Sequence, residues 1–349
     1  MEVFIPALKD ANPFFDEIMF HSKNTFIFDD FKKYKSKYKT VLIHWPEQIF
    51  NWVEPKEKEI NEFKIAIKEW RLHSKIIYVV HNLERHYGMT ANFKKLYDLV
   101  ENNCDAMIHF GNYSQKIFKK KQPSVKHKVI EHPLYEKSYS VFPKHVAHKK
   151  LKINNKAMVI IAPGSIRNKK ERKLIINSFK KLKHGNKVLI VPRILKNTLP
   201  FEFSGRYLLK PFFDVKKVYE YIFNEFLFKA PKYIFKNKFL AEEELSLLIS
   251  ASDIVLIPRV QILNSGNVFL GLTFKKIIVG PTRGNITEVL HKFEMPIFNP
   301  DDNASIHSAI NKALKLTENY KYNNELLVCF APKIIAKKWD DFINDLNKL

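Results

Sequence analysis

The chain has 349 residues, of which 46% are hydrophobic and 13% aromatic, more than one core usually absorbs and too apolar for a disordered polymer. Its 59 Lys and Arg against 36 Asp and Glu leave a net charge of +23, which points to a polyanionic partner: nucleic acid, an anionic membrane surface or a nucleotide diphosphate. Only Cys104 and Cys329 are present, which excludes a disulfide framework or a metal knuckle, and no RNP-like strand, zinc spacing or basic zipper speaks for nucleic acid.

The N-terminus, MEVFIPALKD, has no basic start leading into a long apolar run, and no segment nears the roughly 18 apolar residues of a membrane span, so a cytoplasmic protein is expected. TVLIHW (Thr40 to Trp45) and KIIYVVHN (Lys75 to Asn82) predict strands. Between them Ile60, Phe63, Ile67 and Trp70 fall at helical spacing, a strand-helix-strand unit that favours parallel pairing. ANFKKLYDLVENN predicts a helix, DAMIHFG a strand, SQKIFKKK a short helix and HKVIEHP another strand. The basic stretch VFPKHVAHKKLKINNKA lacks clear periodicity and predicts an interdomain linker near residues 140–155.

The second half repeats the alternation. AMVIIAPG reads as a strand into a glycine turn, KKERKLIINSFKKL as a helix and NKVLIVPR as a strand. GRYLLKPFF (strand), DVKKVYEYIFNEFLF (helix) and KYIFKN (strand) follow. AEEELSLLISASD is a helix with acids at its positive end, leading into IVLIP. Three of the nine glycines, Gly266, Gly280 and Gly284, then fall at strand-helix junctions in IPRVQILNSGNVFLGLTFKKIIVGPTRGNITEVL. The last segment, PKIIAKKWDDFINDLNKL, places Ile334, Trp339, Phe342 and Leu346 on one side of a helix. The order predicts an α/β chain of two Rossmann-like doubly wound domains facing across a cleft, residues 1–150 and residues 151–330, followed by a last helix, 331–349.

Ligands of such sheets bind at the carboxyl ends of the strands, so the candidate residues are sought there. The turn at Gly164 frees N–H groups and opens a helix whose N-terminus favours anions. Asn264 or Ser265 can cap the next helix, and Gly266 permits close backbone approach to a phosphate. Arg193 and Arg259 each follow a strand-ending proline and point to the same cleft edge. In the first domain His44 and Trp45 end one strand, Trp45 offering an aromatic face, and His81 ends another. Glu47 is a candidate base or a partner in a loop salt bridge, and Glu84 and His86 are further candidates. The histidines lack ligand spacing, so no metal site is expected.

APGSIRNKKERKLIINSF together with AEEELSLLISASDIVLIPRVQILNSGNVFLGLTFKKIIVGPTRGNITEVL resembles the donor domain of GT-B glycosyltransferases, close to the retaining family 4. HWPEQIF and VVHNLERHYG resemble the acceptor-domain strand ends of a bacterial polysaccharide-building subset. The resemblance runs from about Val41 to Leu290. It implies transfer of a sugar from a nucleoside-diphosphate sugar, UDP or GDP linked and serving as co-substrate, to a hydroxyl of a glycan or lipid-linked acceptor. It further implies that Arg167 and Lys170 bind the diphosphate in place of a metal ion, that Glu288 lies near the donor, and that His81 lies beside the donor sugar, where it can hydrogen-bond a hydroxyl or assist proton movement. On the acceptor side it implies His44, Trp45 with a face on which a sugar ring can stack, and Glu47 as an acceptor-binding group or base, and it implies that the closing helix, 331–349, returns to the first domain. The family commonly carries two glutamates eight positions apart in this region, whereas NSGNVFLGL has no acid, so no stereochemical outcome is implied. A sugar-nucleotide epimerase of the same fold and a non-catalytic basic protein binding nucleic acid or membrane are the alternatives. The lysine clusters FKKYKSKYK and KIFKKKQPSVKHK suggest reversible contact with the inner face of the plasma membrane.

Overall fold

In the computed structural model, residues 1–83, 85, 88–194, 222, 232–236 and 240–348 are described. The expected strand GRYLLKPFF, the helix DVKKVYEYIFNEFLF, and Glu84 and His86 lie outside them, apart from Ile222. Runs such as TVLI, KIIYVV and MVII are apolar at successive positions, which suits parallel strands covered by helices on both faces. The first sheet contains β1 (Glu2–Ile5), β2 (Thr25–Phe28), β3 (Thr40–Ile43), β4 (Lys75–Val80), β5 (Ala106–His109) and β6 (Lys126–Val129), all parallel, in the order β2-β1-β3-β4-β5-β6. The second contains β7 (Met158–Ile161), β8 (Lys187–Val191), β9 (Tyr233–Phe235), β10 (Ile254–Leu256), β11 (Ile277–Pro281) and β12 (Ile297–Phe298), also parallel, in the order β12-β11-β10-β7-β8-β9. Strand order therefore reverses between β1 and β3 in one sheet and between β7 and β10 in the other. At such switch points the flanking connections leave in opposite directions and open a crevice at the carboxyl ends.

The two-residue period of the strands divides the first domain's core. Val3, Ile5, Leu42 and Ile77 face Phe14, Ile18, Trp339 and Ile343, whereas Phe4, Val41, Ile76 and Tyr78 face Phe63, Ile67, Trp70 and Phe93. Trp339 and Ile343 belong to the last helix, Pro332–Asn347, which therefore forms part of the first domain's core. The inward residue near its start is Ile335, fully buried, while Ile334, expected on that face, is 38% exposed. A single cluster that includes Val159, Leu189, Val255 and Val279 forms the second core.

The stretch expected to link the domains is instead a helix, Lys144–Leu151, packed on the helix Glu242–Ala251. Its buried side chains are only Ala147 and His148, and His148 Nε2 lies 2.9 Å from the Ala251 carbonyl. So small a buried face leaves almost no apolar period in a sequence full of lysine. HKVIEHP forms a strand only as far as Val129, which leaves His132 in the following loop.

Candidate active site

Gly164 turns the chain after β7 at φ +85°, a conformation that disfavours other residues. A Cβ there would lie 3.0 Å from Asn267 Nδ2 and 3.5 Å from Arg259 Nη2, so the loops leaving β7 and β10 meet across the switch point. Asn267 fastens them by donating to the Pro163 carbonyl at 3.0 Å. Arg259, 5% exposed, donates through Nη1 to Ser165 O at 2.9 Å and to Glu171 Oε2 at 2.8 Å. Glu171 Oε2 also accepts the Arg167 N–H, while Asn168 caps the helix Lys169–Lys181 by accepting the Glu171 N–H. Arg193 is bridged to Ser165, and its carbonyl accepts the Ile166 N–H. The Arg167 guanidinium reaches the Gln261 carbonyl at 3.5 Å, and Lys170, 56% exposed, meets Asp301 at 2.9 Å. Gly164, Arg167, Lys170, Arg193 and Arg259 are thus gathered at the carboxyl ends of β7, β8 and β10.

The glycines of the other junctions serve packing. The helix Gly266–Thr273 starts after Ser265, and neither Ser265 nor Asn264 caps it with a side chain. Asn264 instead bolts the domains together: its Nδ2 donates to the carbonyls of Val80 at 3.2 Å and His81 at 2.7 Å, and its Oδ1 accepts from Asn285 Nδ2 at 2.8 Å. At Gly266 the space of a Cβ is held by the Tyr135 hydroxyl, 2.5 Å from that position, with His132 Nε2 at 3.7 Å. Gly280 makes room for Leu290, and Gly284, at φ +63°, lies against the carbonyls of Ile262 and Leu263. Glu288 faces the first domain, where its carboxylate accepts from Asn112 N at 3.0 Å, Asn112 Nδ2 at 3.2 Å and Tyr113 N at 2.6 Å. It occupies the positive end of the helix Asn112–Lys121. Beside it Asn285 accepts from Ser114 N and donates to Ser114 Oγ, an approach that a side chain at Gly111 would block at 2.8 Å.

Across the cleft, the ends of β3 and β4 bring His44, Trp45 and His81 together. The His44 and His81 rings are 3.9 Å apart, and each is 4.2 Å from Trp45. Phe14, entering from beyond β1, stacks on His44 at 5.1 Å and meets His132 at 4.9 Å. His132 in turn stacks on Phe269 of the second domain at 4.4 Å. Burial holds the imidazole of His44 well below its usual range, with His132 adding to the effect, and lowers His132 to about 4. His44 Nε2 is buried without a hydrogen-bond partner among the described residues. Glu47 is 2% exposed and accepts the Tyr97 hydroxyl at 2.7 Å, and burial raises its carboxyl. That placement ties the 46–50 turn to the helix Ala91–Glu101, which carries Tyr97. Trp52, with φ +66°, stands 5.5 Å from Trp45 and is 43% exposed, an aromatic pair at the mouth of the cluster.

Sequence reasoning missed Phe14, Trp52, His132, Asn267 and Asn285. Of these only Asn267 carries a local signal, its position directly after Asn-Ser-Gly. The others join the site through contacts remote in sequence. Among the described residues no His, Cys, Asp and Glu group could hold a metal ion.

No protein-family model and no curated protein sequence matches the chain. Solved structures do. A glycosyltransferase from Rickettsia africae superposes with a TM-score of 0.65 at 12% identity, covering 99% of this chain and 97% of that one. HepE from Anabaena in complex with UDP-glucose gives 0.64 at 13% identity, over 100% and 99%. Sucrose-phosphate synthase from Thermosynechococcus elongatus gives 0.65 at 13% identity, over 90% and 76%. The fold of the chain is the two-domain GT-B fold of these enzymes, and a place in family 4 is compatible with it.

Proposed function

We propose that the chain is a glycosyltransferase moving a sugar from a nucleoside-diphosphate sugar to a hydroxyl of a glycan or lipid-linked acceptor in surface polysaccharide synthesis. The observation that carries this reading is the opposition of the two switch points. Asn267 fastens the cation-lined turn at Gly164, and Asn264, three residues before it, joins the same loop to the carbonyls of Val80 and His81 beside the histidine and tryptophan cluster at the ends of β3 and β4. The fold is shared along the full length with HepE, whose solved complexes contain UDP, UDP-glucose, and UDP with glucose.

Arg167 and Lys170 grip the diphosphate and stabilise the charge that builds on it as the sugar leaves, a role that needs no metal ion. Arg259 holds the turn against Glu171 through Nη1 and presents Nη2 toward Gly164. Arg193 fixes the Ser165 strand end, and the backbone at Asn264, Ser265 and Gly266 adds donors at a helix start. His81 orients a hydroxyl of the donor sugar, His44 fixes His81, and Trp45 with Trp52 forms the acceptor platform. Glu47 acts by holding the turn that carries Trp45. Glu288 serves domain closure at the positive end of the helix Asn112–Lys121.

Isothermal titration with UDP, GDP and ADP, followed by assay of nucleotide release from the matching sugars in EDTA, tests the assignment. Binding of one diphosphate and acceptor-dependent release are expected; no binding of any of them would refute it. No helix among the described residues is long and apolar enough to cross a membrane. The helix Asn112–Lys121 exposes Lys116, Lys119, Lys120 and Lys121 beside Tyr113 and Ile117, which supports peripheral contact with an anionic leaflet at about 1 kcal/mol per basic residue. Co-sedimentation with anionic but not neutral liposomes at low salt is the expected result, and equal sedimentation removes this part of the reading.

A further inference from the structure

Three loops at the carboxyl edge of the second sheet converge on one carboxylate. Asp301, after β12, accepts from Lys170 Nζ at 2.9 Å on one oxygen and from Arg283 Nη2 at 2.5 Å on the other. Lys170 belongs to the helix after β7 and Arg283 to the turn after β11, so one anion spans the sheet's switch point. The Arg283 turn is fixed in place: Gly284 is pressed against the carbonyls of Ile262 and Leu263, and the neighbouring Gln261 carbonyl receives Arg167. Lys170 and Arg283 therefore stand around a single acid, whose carboxyl is held below its usual range by the hydrogen bond from Lys170 and by both cations. All three members of the bridge are accessible, at 56% for Lys170, 55% for Asp301 and 43% for Arg283, so an incoming anion can reach them. Exposed ion pairs contribute little to stability, so this arrangement is weakly accounted for as a scaffold.

We propose that Arg283 is a third cation for the donor diphosphate and that Asp301 is a built-in counter-ion which the diphosphate must displace. This rests on the donor-binding reading above. A diphosphate carries more charge than one carboxylate and can engage the guanidinium in a forked geometry, so it wins the exchange, while Asp301 lowers the affinity and speeds release of the product nucleotide. Phosphate-free ligands should be insensitive to the pair.

The test is titration of UDP, GDP and ADP into the full chain and its variants at low salt, with uridine and guanosine as controls and melting curves to show that each variant is folded. For the diphosphate that binds wild type, Asp301→Asn should tighten Kd at least about fivefold and Arg283→Gln weaken it by a similar factor, with the nucleoside controls unchanged. The salt dependence of binding should steepen in Asp301→Asn, because two more cations are free to release counter-ions. Weaker binding in Asp301→Asn would make that residue a scaffold and overturn the proposal, as would unchanged binding in Arg283→Gln, while leaving the donor site intact. If wild type binds no nucleoside diphosphate, the donor reading and this inference fall together.

Discussion

Arg259 is the cation whose surroundings most constrain its role. Its guanidinium and Glu171 form a buried pair, 6% and 1% exposed at the side chain, that also takes in Ser165 O and Arg167 N. Removing one partner leaves a buried charge uncompensated, so Glu171→Ala should lower unfolding stability by about 3–5 kcal/mol in urea titrations, and the double Glu171→Ala/Arg259→Ala variant by less than the sum of the singles. Arg167 and Lys170 differ: both are accessible, and their replacement should affect turnover rather than folding. Arg167→Ala and Lys170→Ala are each expected to cut kcat/KM for the donor at least about tenfold, roughly 1.4 kcal/mol, with acceptor KM nearly unchanged. Steady-state kinetics with both substrates varied measures this, and wild-type activity in both would remove the clamp. At this scale the sequence was informative about cations, because Pro-Arg after a strand and Gly-x-x-Arg before a helix are local signals. It was silent about their partners: Glu171 looks like any acid in a first helical turn until Arg259, 88 positions away, is seen to meet it.

Elements decide how the histidine cluster responds to acid. His44 follows β3 and His132 lies in the loop after β6, while His109 stands apart from the cluster in β5, against His127 and Ser114, and burial is the first cause of each depression: well below the usual range for His44, to about 3 for His109 and about 4 for His132. Unfolded, these rings titrate near 6.5. Between that value and the folded pKa the unfolded chain binds more protons, so stability falls as pH drops below about 6.5, down to about 4 through His132 and to about 3 through His109. Each ring contributes up to about 1.4 kcal/mol per pH unit in its window. Melting curves at pH 7.5, 6 and 5 should show a steep loss that is shallower in His132→Phe; identical slopes in the two proteins would contradict the assignment. The strands β3 and β5 beside these rings were legible because short unbroken apolar runs, Val41–Ile43 and Ala106–Ile108, have few other solutions. The helix Lys144–Leu151 was not, since its contact with the second core needs only Ala147 and His148. The Asn-Ser-Gly junction was legible as a helix start and misleading as a cap, because Asn264 is drawn across the interface by the carbonyls of Val80 and His81.

For the whole molecule, the last sixteen-residue helix, Pro332–Asn347, ties the end of the chain to its beginning. Trp339 is fully buried among residues that include Val3, Phe14 and Leu42, and Asp340, 5% exposed, accepts from Lys23 N at 2.8 Å, Asn24 Nδ2 at 2.8 Å and Ser22 Oγ. The first domain thus closes its core with residues made after the second domain, a contact that periodicity could suggest on one helix but whose partner strands it could not identify. Trp339→Ala removes a large side chain from that core and should cost about 3–5 kcal/mol. The loss should be local. None of the donor-binding groups proposed here lies in this core, so UDP affinity measured by titration at a temperature where the variant is still folded should match wild type. Amide exchange should quicken first in β1 and β3, which pack beside Trp339, and later in β7 and β10. Equal acceleration in both sheets would mean that the interdomain bolts at Asn264, Asn285 and Glu288 make the two domains one cooperative unit, contrary to a local loss.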